Sequence, residues 1–183
     1  MKKTTCIMTV LIIAIIINGC ATSPRVKERV DADTAFIYGS LNLDGLYTDL
    51  KWVTIEQYEP PTEHPYLYAS VKGKIFFNQN IKKGEYCLGE VGDVENDVHN
   101  ISNDFGCFEI KKPKLIYMGS YMIVRYKNGK KEILNDYSVT ETDVITGILD
   151  CTDTGTFWYN ELVKRLEKLN DIEARKVNIP RVE

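Results

Sequence analysis

Histidine is nearly absent from this chain: only two occur in 183 residues, His64 and His99. Neither has a partner at the spacing of a helical zinc motif such as H-E-x-x-H. The sequence also lacks a G-x-S-x-G elbow, a Walker-type phosphate loop and a G-x-G-x-x-G fingerprint. Gly119-Ser120 has no second glycine, so Ser120 reads as a strand-turn residue. Cys151 has no histidine near it in sequence, and His64 stands in the proline-rich connection PPTEHPY. Positive charge does not dominate: 23 Lys and Arg face 26 Asp and Glu, a net charge of -3. A mildly acidic chain without a basic cluster is a poor match to a nucleic-acid partner. Long apolar runs are missing too. The longest, Ile7 to Ile17, covers about half of a ~30 Å hydrocarbon core at ~1.5 Å per residue.

What is present begins at the N-terminus. Lys2 and Lys3 precede the apolar run, and Gly19-Cys20 ends it with small residues. That order is the pattern of a secretory signal peptide. Ile17-Asn18-Gly19-Cys20 resembles the lipobox of bacterial lipoproteins, with Asn18 a less usual occupant of its position. The resemblance implies cleavage before Cys20, a diacylglycerol on its thiol, and a membrane as partner through that anchor. Two acyl chains hold durably where one does not. Ala21 after the cysteine implies the outer membrane of a diderm envelope. The expected organisation is a signal peptide at 1–19, a lipidated tether at 20–33, a domain at 34–175 and a loose tail at 176–183. Loss of Lys2 and Lys3 takes the charge from -3 to -5.

Five cysteines are present. Cys6 leaves with the signal and Cys20 carries lipid, so Cys87, Cys107 and Cys151 remain. An odd number in an exported protein suggests one disulfide and one free thiol. Cys87 and Cys107 form the expected pair, each in a strand-like run beside the acidic loop between them. The alternative is that both are small buried hydrophobes.

From Thr34 onward the pattern is strand-like. TAFIYGSLN at 34–42 stops at the turn signal Asp44-Gly45, and LKWVTIEQYE at 50–59 stops at Pro60-Pro61. Within the second run Trp52, Thr54 and Tyr58 share one face while Val53 and Ile55 share the other. Further short strands are expected at 66–71, 73–78, 84–91, 105–110, 114–118, 120–126 and 131–134. Near the end, Phe157, Trp158, Leu162, Leu166 and Leu169 recur at helical intervals, with Thr156 as N-cap and a Glu161–Arg165 pair. Many short strands and one amphipathic helix predict a mainly β fold, an antiparallel β-sandwich with a C-terminal helix.

KIFFNQNIKKGEYCLGEV, residues 74–91, resembles the hairpin of transthyretin-like and carboxypeptidase-regulatory-like β-sandwich domains. Phe76-Phe77 fills the aromatic part, Ile81 stands for the usual Leu, and Gly84, Tyr86 and Leu88 keep the spacing. Lys82 departs from the usual Pro. Gly84 is expected to take a positive φ, with Tyr86 and Leu88 on one sheet face. The resemblance implies a structural or binding module.

GDVENDVHNISND at 92–104 alternates Asp93, Glu95, Asp97 and His99. In an extended chain these project to one side, and oxygen ligands at alternate positions fit weak divalent-cation binding. Val98 replaces the turning glycine of a calcium loop and Asp104 its bidentate Glu, so a solvated acidic loop is the plainer reading. No cofactor is implied. The expected function is a non-enzymatic envelope lipoprotein that binds or scaffolds another envelope protein, with Trp52, Tyr58, Tyr66 and Tyr68 as contact or core residues. The alternatives are a subunit of a secretion or transport assembly, and an envelope hydrolase using His64, His99 or Cys151.

Overall fold

The computed structural model describes residues 24–43, 49–93, 98–100 and 106–177. Its strands are β1 (Ala35–Leu43), β2 (Leu50–Glu59), β3 (Tyr66–Lys72), β4 (Ile75–Ile81), β5 (Gly84–Asp93), β6 (Val98–Asn100), β7 (Phe108–Ile110), β8 (Leu115–Arg125) and β9 (Lys131–Asn135). Two helices follow, α1 (Glu141–Leu149) and α2 (Phe157–Val177). The strands form one curled sheet in the order β6-β5-β2-β3-β4-β1-β8-β9, with β7 also on β5. The ends of this path approach each other, since Lys131 Nζ on β9 donates to the Val98 carbonyl of β6 at 3.4 Å.

Alternation along β1 builds two cores at once. Ile37 and Leu41 point into the curl with Val53, Ile55, Phe76 and Leu88. Phe36 and Tyr38 point out, where Phe77, Val144, Ile145 and Trp158 cover them. A strand buried on both faces carries apolar residues at successive positions, as Ala35-Phe36-Ile37-Tyr38 of β1 do.

Several expectations change. The β-rich class and the terminal helix hold, but the sheet is not wholly antiparallel: β1 and β8 run parallel, from Phe36↔Leu115 to Leu43↔Ile123. The 114–118 and 120–126 runs are one strand that bulges at Gly119, next to the register shift at Tyr38/Ser40. The 74–91 motif makes no hairpin. β4 pairs with β1 and β3, while β5 pairs with β2, β6 and β7, so Lys82-Lys83 carry the chain between halves of the curl. Gly84 does take a positive φ of 155°. A Cβ there would lie 2.3 Å from the Glu59 carbonyl oxygen. Tyr86 and Leu88 both enter the inner core.

The helix α1 lies where no element was expected. Its sequence ETDVITGIL is rich in β-branched residues, which weakens local helix propensity. Its N-terminus is nonetheless defined by a capping box. Thr140 Oγ1 accepts from Asp143 N at 3.2 Å, and the Asp143 carboxylate accepts from Thr140 N at 2.8 Å. Replacing Thr140 with Ala is expected to cost about 1 kcal/mol, read as a lower urea midpoint. Hydrogen bonds from the Thr140 side chain and backbone hold the Asp143 carboxyl below its ordinary pKa. The stability this contributes is complete above the unfolded carboxylate value of about 4, and is lost as pH falls through the lower folded one.

Thr156 caps α2, accepting from Tyr159 N at 3.3 Å. The expected Glu161–Arg165 pair does not form. Glu161 binds Lys164 at 2.7 Å, and Arg165 grips Glu141 of α1 at 2.8 and 2.9 Å. Tertiary packing offers Arg165 a forked partner that its own helix cannot. The helix α2 runs to Val177, two residues into the segment expected as a tail, and 178–183 lie outside the described residues.

The segment read as a tether is described from Pro24, and there it is strapped to the body. Val26 is 1% exposed, and its N donates to the Cys151 carbonyl at 3.0 Å. The Glu28 carboxylate accepts from Phe157 N at 3.0 Å, where a negative charge complements the helix start. The Arg29 guanidinium stacks over Phe157 at 4.4 Å and over Trp158 at 5.4 Å.

Candidate functional site

Both helices pack on the outer face of the β1/β4/β8 half of the curl. On the other half, β2, β3, β5 and β7 keep an outer face that no described element covers. Period-two alternation on β2 sends Val53 and Ile55 inward and Trp52, Thr54, Glu56 and Tyr58 outward. The β2–β3 register sets Tyr68 opposite Thr54 and Tyr66 opposite Glu56. Four aromatic side chains thus share one surface, with Tyr58, Tyr66 and Tyr68 exposed by 37, 54 and 71%.

Local geometry holds this surface in place. The Trp52 indole meets Tyr68 edge-on at 6.4 Å. It lies over Gly92, where a Cβ would come within 2.2 Å of the ring nitrogen. Between Val53 and Ile55 the β2–β5 register slips by a residue. Thr54 Oγ1 closes that bulge, accepting from Glu90 N at 2.6 Å and donating to the Glu90 carbonyl at 3.2 Å. The Tyr58 hydroxyl donates to Glu56 Oε2 at 3.1 Å.

Beside the rings lies a line of carboxylates. A register shift between Gln57 and Glu59 interrupts the alternation and sets Glu59 opposite Glu85, and Glu85 pairs with Glu109. Three glutamates therefore stand abreast on β2, β5 and β7, with strands spaced by about 4.8 Å. All three are exposed. Lys111 binds Glu109 at 2.9 Å, and its pKa is raised by that hydrogen bond first, with a smaller contribution from the charge of Glu85. Like charges directly opposite each other destabilise a sheet, so this row is not a device for stability. Two shallow concavities border it. One of about 500 Å³ is lined by Tyr58, Glu85, Cys87, Cys107, Phe108 and Glu109. A second of about 430 Å³ adds Glu59, Pro60, Lys83 and Lys111.

Cys87 and Cys107 are bonded, with S–S 2.02 Å, and tie β5 to the start of β7. Opening this bridge with Cys87→Ala and Cys107→Ala is expected to lower stability by about 3 kcal/mol on the loop-entropy account. Guanidinium unfolding of oxidised and reduced protein measures it. The third thiol, Cys151, is buried, donates to the Ile148 carbonyl at 3.1 Å, and has its pKa raised by that burial. Burial and a raised pKa make it a weak nucleophile.

Of the proposed cation ligands, Asp93 is turned inward. It is fully buried and meets His99 Nε2 at 3.2 Å, with His99 itself 2% exposed. Glu95 and Asp97 lie outside the described residues, as do Cys20 and the Asp44-Gly45 turn. Among the described residues no three His, Cys, Asp or Glu side chains gather as a metal site. His64 is exposed in the β2–β3 connection, His99 faces the interior of the curl, and Cys151 follows α1 on the helix side. The glutamate row escaped the sequence reading because its members are 26 and 24 residues apart, and only strand register aligns them.

No protein-family model matches the chain, and no curated protein matches it. Among solved structures it is similar to a DUF3823 family protein from Parabacteroides merdae, at 18% identity and a TM-score of 0.30. That alignment covers 51% of this chain and 50% of the other, so it spans about half the length of each.

Proposed function

We propose that this protein is a lipid-anchored, non-catalytic binding module of the bacterial envelope, with the aromatic outer face of β2 and β3 as its contact surface. The observation that carries this is the exposure of Tyr58, Tyr66 and Tyr68 beside Trp52 on a face the helices leave uncovered. Tyrosine and tryptophan are enriched where proteins meet, because they bury large area with a polar tip still able to bond. The two halves of the curl act in this reading as the layers of a transthyretin-like sandwich. Cys20 carries the diacylglycerol, in the outer membrane.

The strap sharpens the geometry of such an anchor. Val26 is fixed to the body, and six residue steps separate it from Cys20. At no more than ~3.6 Å per residue, the chain between them spans roughly 20 Å. The body would then ride close to the lipid, with its aromatic face on the half of the sheet away from the strap and helices.

Two measurements test this reading together. Intact-mass analysis of the membrane fraction is expected to show a chain starting at Cys20 with acyl groups, and Cys20→Ala is expected to leave that fraction. Cross-linking in cells is expected to capture a partner that Tyr66→Ala with Tyr68→Ala loses. An unacylated chain, or captures indifferent to both tyrosines, overturns the reading.

A further inference from the structure

We propose that the uncovered face receives an extended, cationic protein segment whose Lys or Arg side chains sit between the aromatic rings and the Glu59–Glu85–Glu109 row. This deepens the binding-module reading and rests on it.

Among the described residues nothing covers the outer face of β2, β3, β5 and β7, and its charge decides what complements it. Three carboxylates abreast on adjacent strands repel one another, and among the described residues the one ion pair in the row is Lys111 with Glu109. Among the described residues, Glu56, Glu59 and Glu85 carry no ion pair. Glu56 instead accepts the Tyr58 hydroxyl, which sets a negative oxygen at the edge of the aromatic patch. Lys83 lines the rim of the concavity between Glu59 and Glu85, so the local balance remains acidic. A guanidinium or ammonium entering here would gain carboxylates on one side and tyrosine faces on the other.

The dimensions agree with an extended chain. Side chains two apart in a strand project to the same side about 6.7 Å apart, so two of them fit a row that spans about 10 Å over three strands. An acidic segment would add to the repulsion already present. A neutral one would leave the row uncompensated.

The test uses the full chain in detergent micelles and a ten-residue peptide of alternating lysine and serine. Alternating glutamate–serine and all-serine peptides are the controls. Trp52 is half-buried on this face, while Trp158 is buried under the helices, so tryptophan fluorescence reads the surface directly. The lysine peptide is expected to give a saturable change that weakens several-fold from low to physiological salt. Glu59→Gln with Glu85→Gln, and separately Tyr66→Ala with Tyr68→Ala, are each expected to weaken it at least fivefold. All four side chains are exposed, so unchanged thermal unfolding is expected to verify that both variants fold. Glu167→Gln with Glu173→Gln removes the same charge from exposed positions of α2 and is expected to change affinity less than twofold.

The proposal is overturned if the lysine peptide produces no saturable change, if the glutamate peptide binds as well, or if the α2 variant loses as much as the row variant. It is also overturned if sedimentation shows the chain pairing with itself through this face, in a dimer that the tyrosine variant abolishes. Peptide failure combined with persistent tyrosine-dependent cross-linking in cells removes the cationic chemistry and leaves the binding-module reading standing.

Discussion

Asp93→Ala is expected to destabilise the protein by about 3 kcal/mol, because it strands a buried histidine without its side-chain hydrogen bond. Asp93 is fully buried and His99 is 2% exposed, and they meet at 3.2 Å. The other ring nitrogen of His99, Nδ1, has no hydrogen-bond partner among the described residues. Removing Asp93 therefore takes away the side-chain partner the imidazole is observed to have, and water cannot easily replace it. Asp93→Asn retains the volume and an oxygen at that position, so its expected cost is smaller. Urea unfolding of the two variants separates the contributions. A loss below about 1 kcal/mol for Asp93→Ala would show that the pair is not a stabilising contact. The same geometry turns the Asp93 carboxylate of the 92–104 stretch inward, toward His99, while Glu95 and Asp97 lie outside the described residues.

Trp158→Ala is expected to cost a similar amount, about 3–5 kcal/mol for a large buried side chain. Trp158 is 1% exposed and packs against Phe36 of β1 at 5.3 Å and Phe157 at 4.9 Å. Beyond the cavity, the change removes one of the two rings beneath Arg29 and loosens the strap that begins at Val26. Trypsin cleavage at Arg25, Lys27 or Arg29 is expected to quicken more than cleavage within the sheet. Trp158→Phe is expected to recover most of the stability, because the indole N–H has no partner among the described residues and the loss is one of packing. Equal destabilisation by Phe and Ala would argue instead for a role of the indole nitrogen.

Where local pattern matched burial, the sequence was readable. The 50–59 run, rich in strand-forming residues and closed by Pro60-Pro61, became β2 with the same bounds. The helical spacing of Phe157, Trp158 and Leu162 became α2, of which Trp158 and Leu162 are buried. The Cys87–Cys107 pairing could be expected from its two strand-like flanks and is present. Reading failed where distant partners decide the outcome. The α1 segment looks poor as an isolated helix, yet Val144, Ile145 and Ile148 bury against Phe36, Tyr38 and Phe77. The Lys82-Lys83 link resembled a hairpin turn, but each flanking strand finds its partners elsewhere.

The candidate surface divides along the same line. By itself the sequence determined that Trp52 and Tyr58 share a strand face opposite Val53 and Ile55, because alternation is a local property of an extended backbone. It also determined the apolar content of β1 and the helical stripe that α2 presents to the sheet. Only the tertiary structure decided which sheet face the helices cover, and hence that Phe36 and Tyr38 are core while Tyr66 and Tyr68 are exposed. It alone aligned Glu59, Glu85 and Glu109 and brought Val26 to Cys151. The physical reason is that exposure and juxtaposition are set by strand register and by what packs on each face. Both are properties of pairs of segments far apart in the chain, which no single stretch of residues can encode.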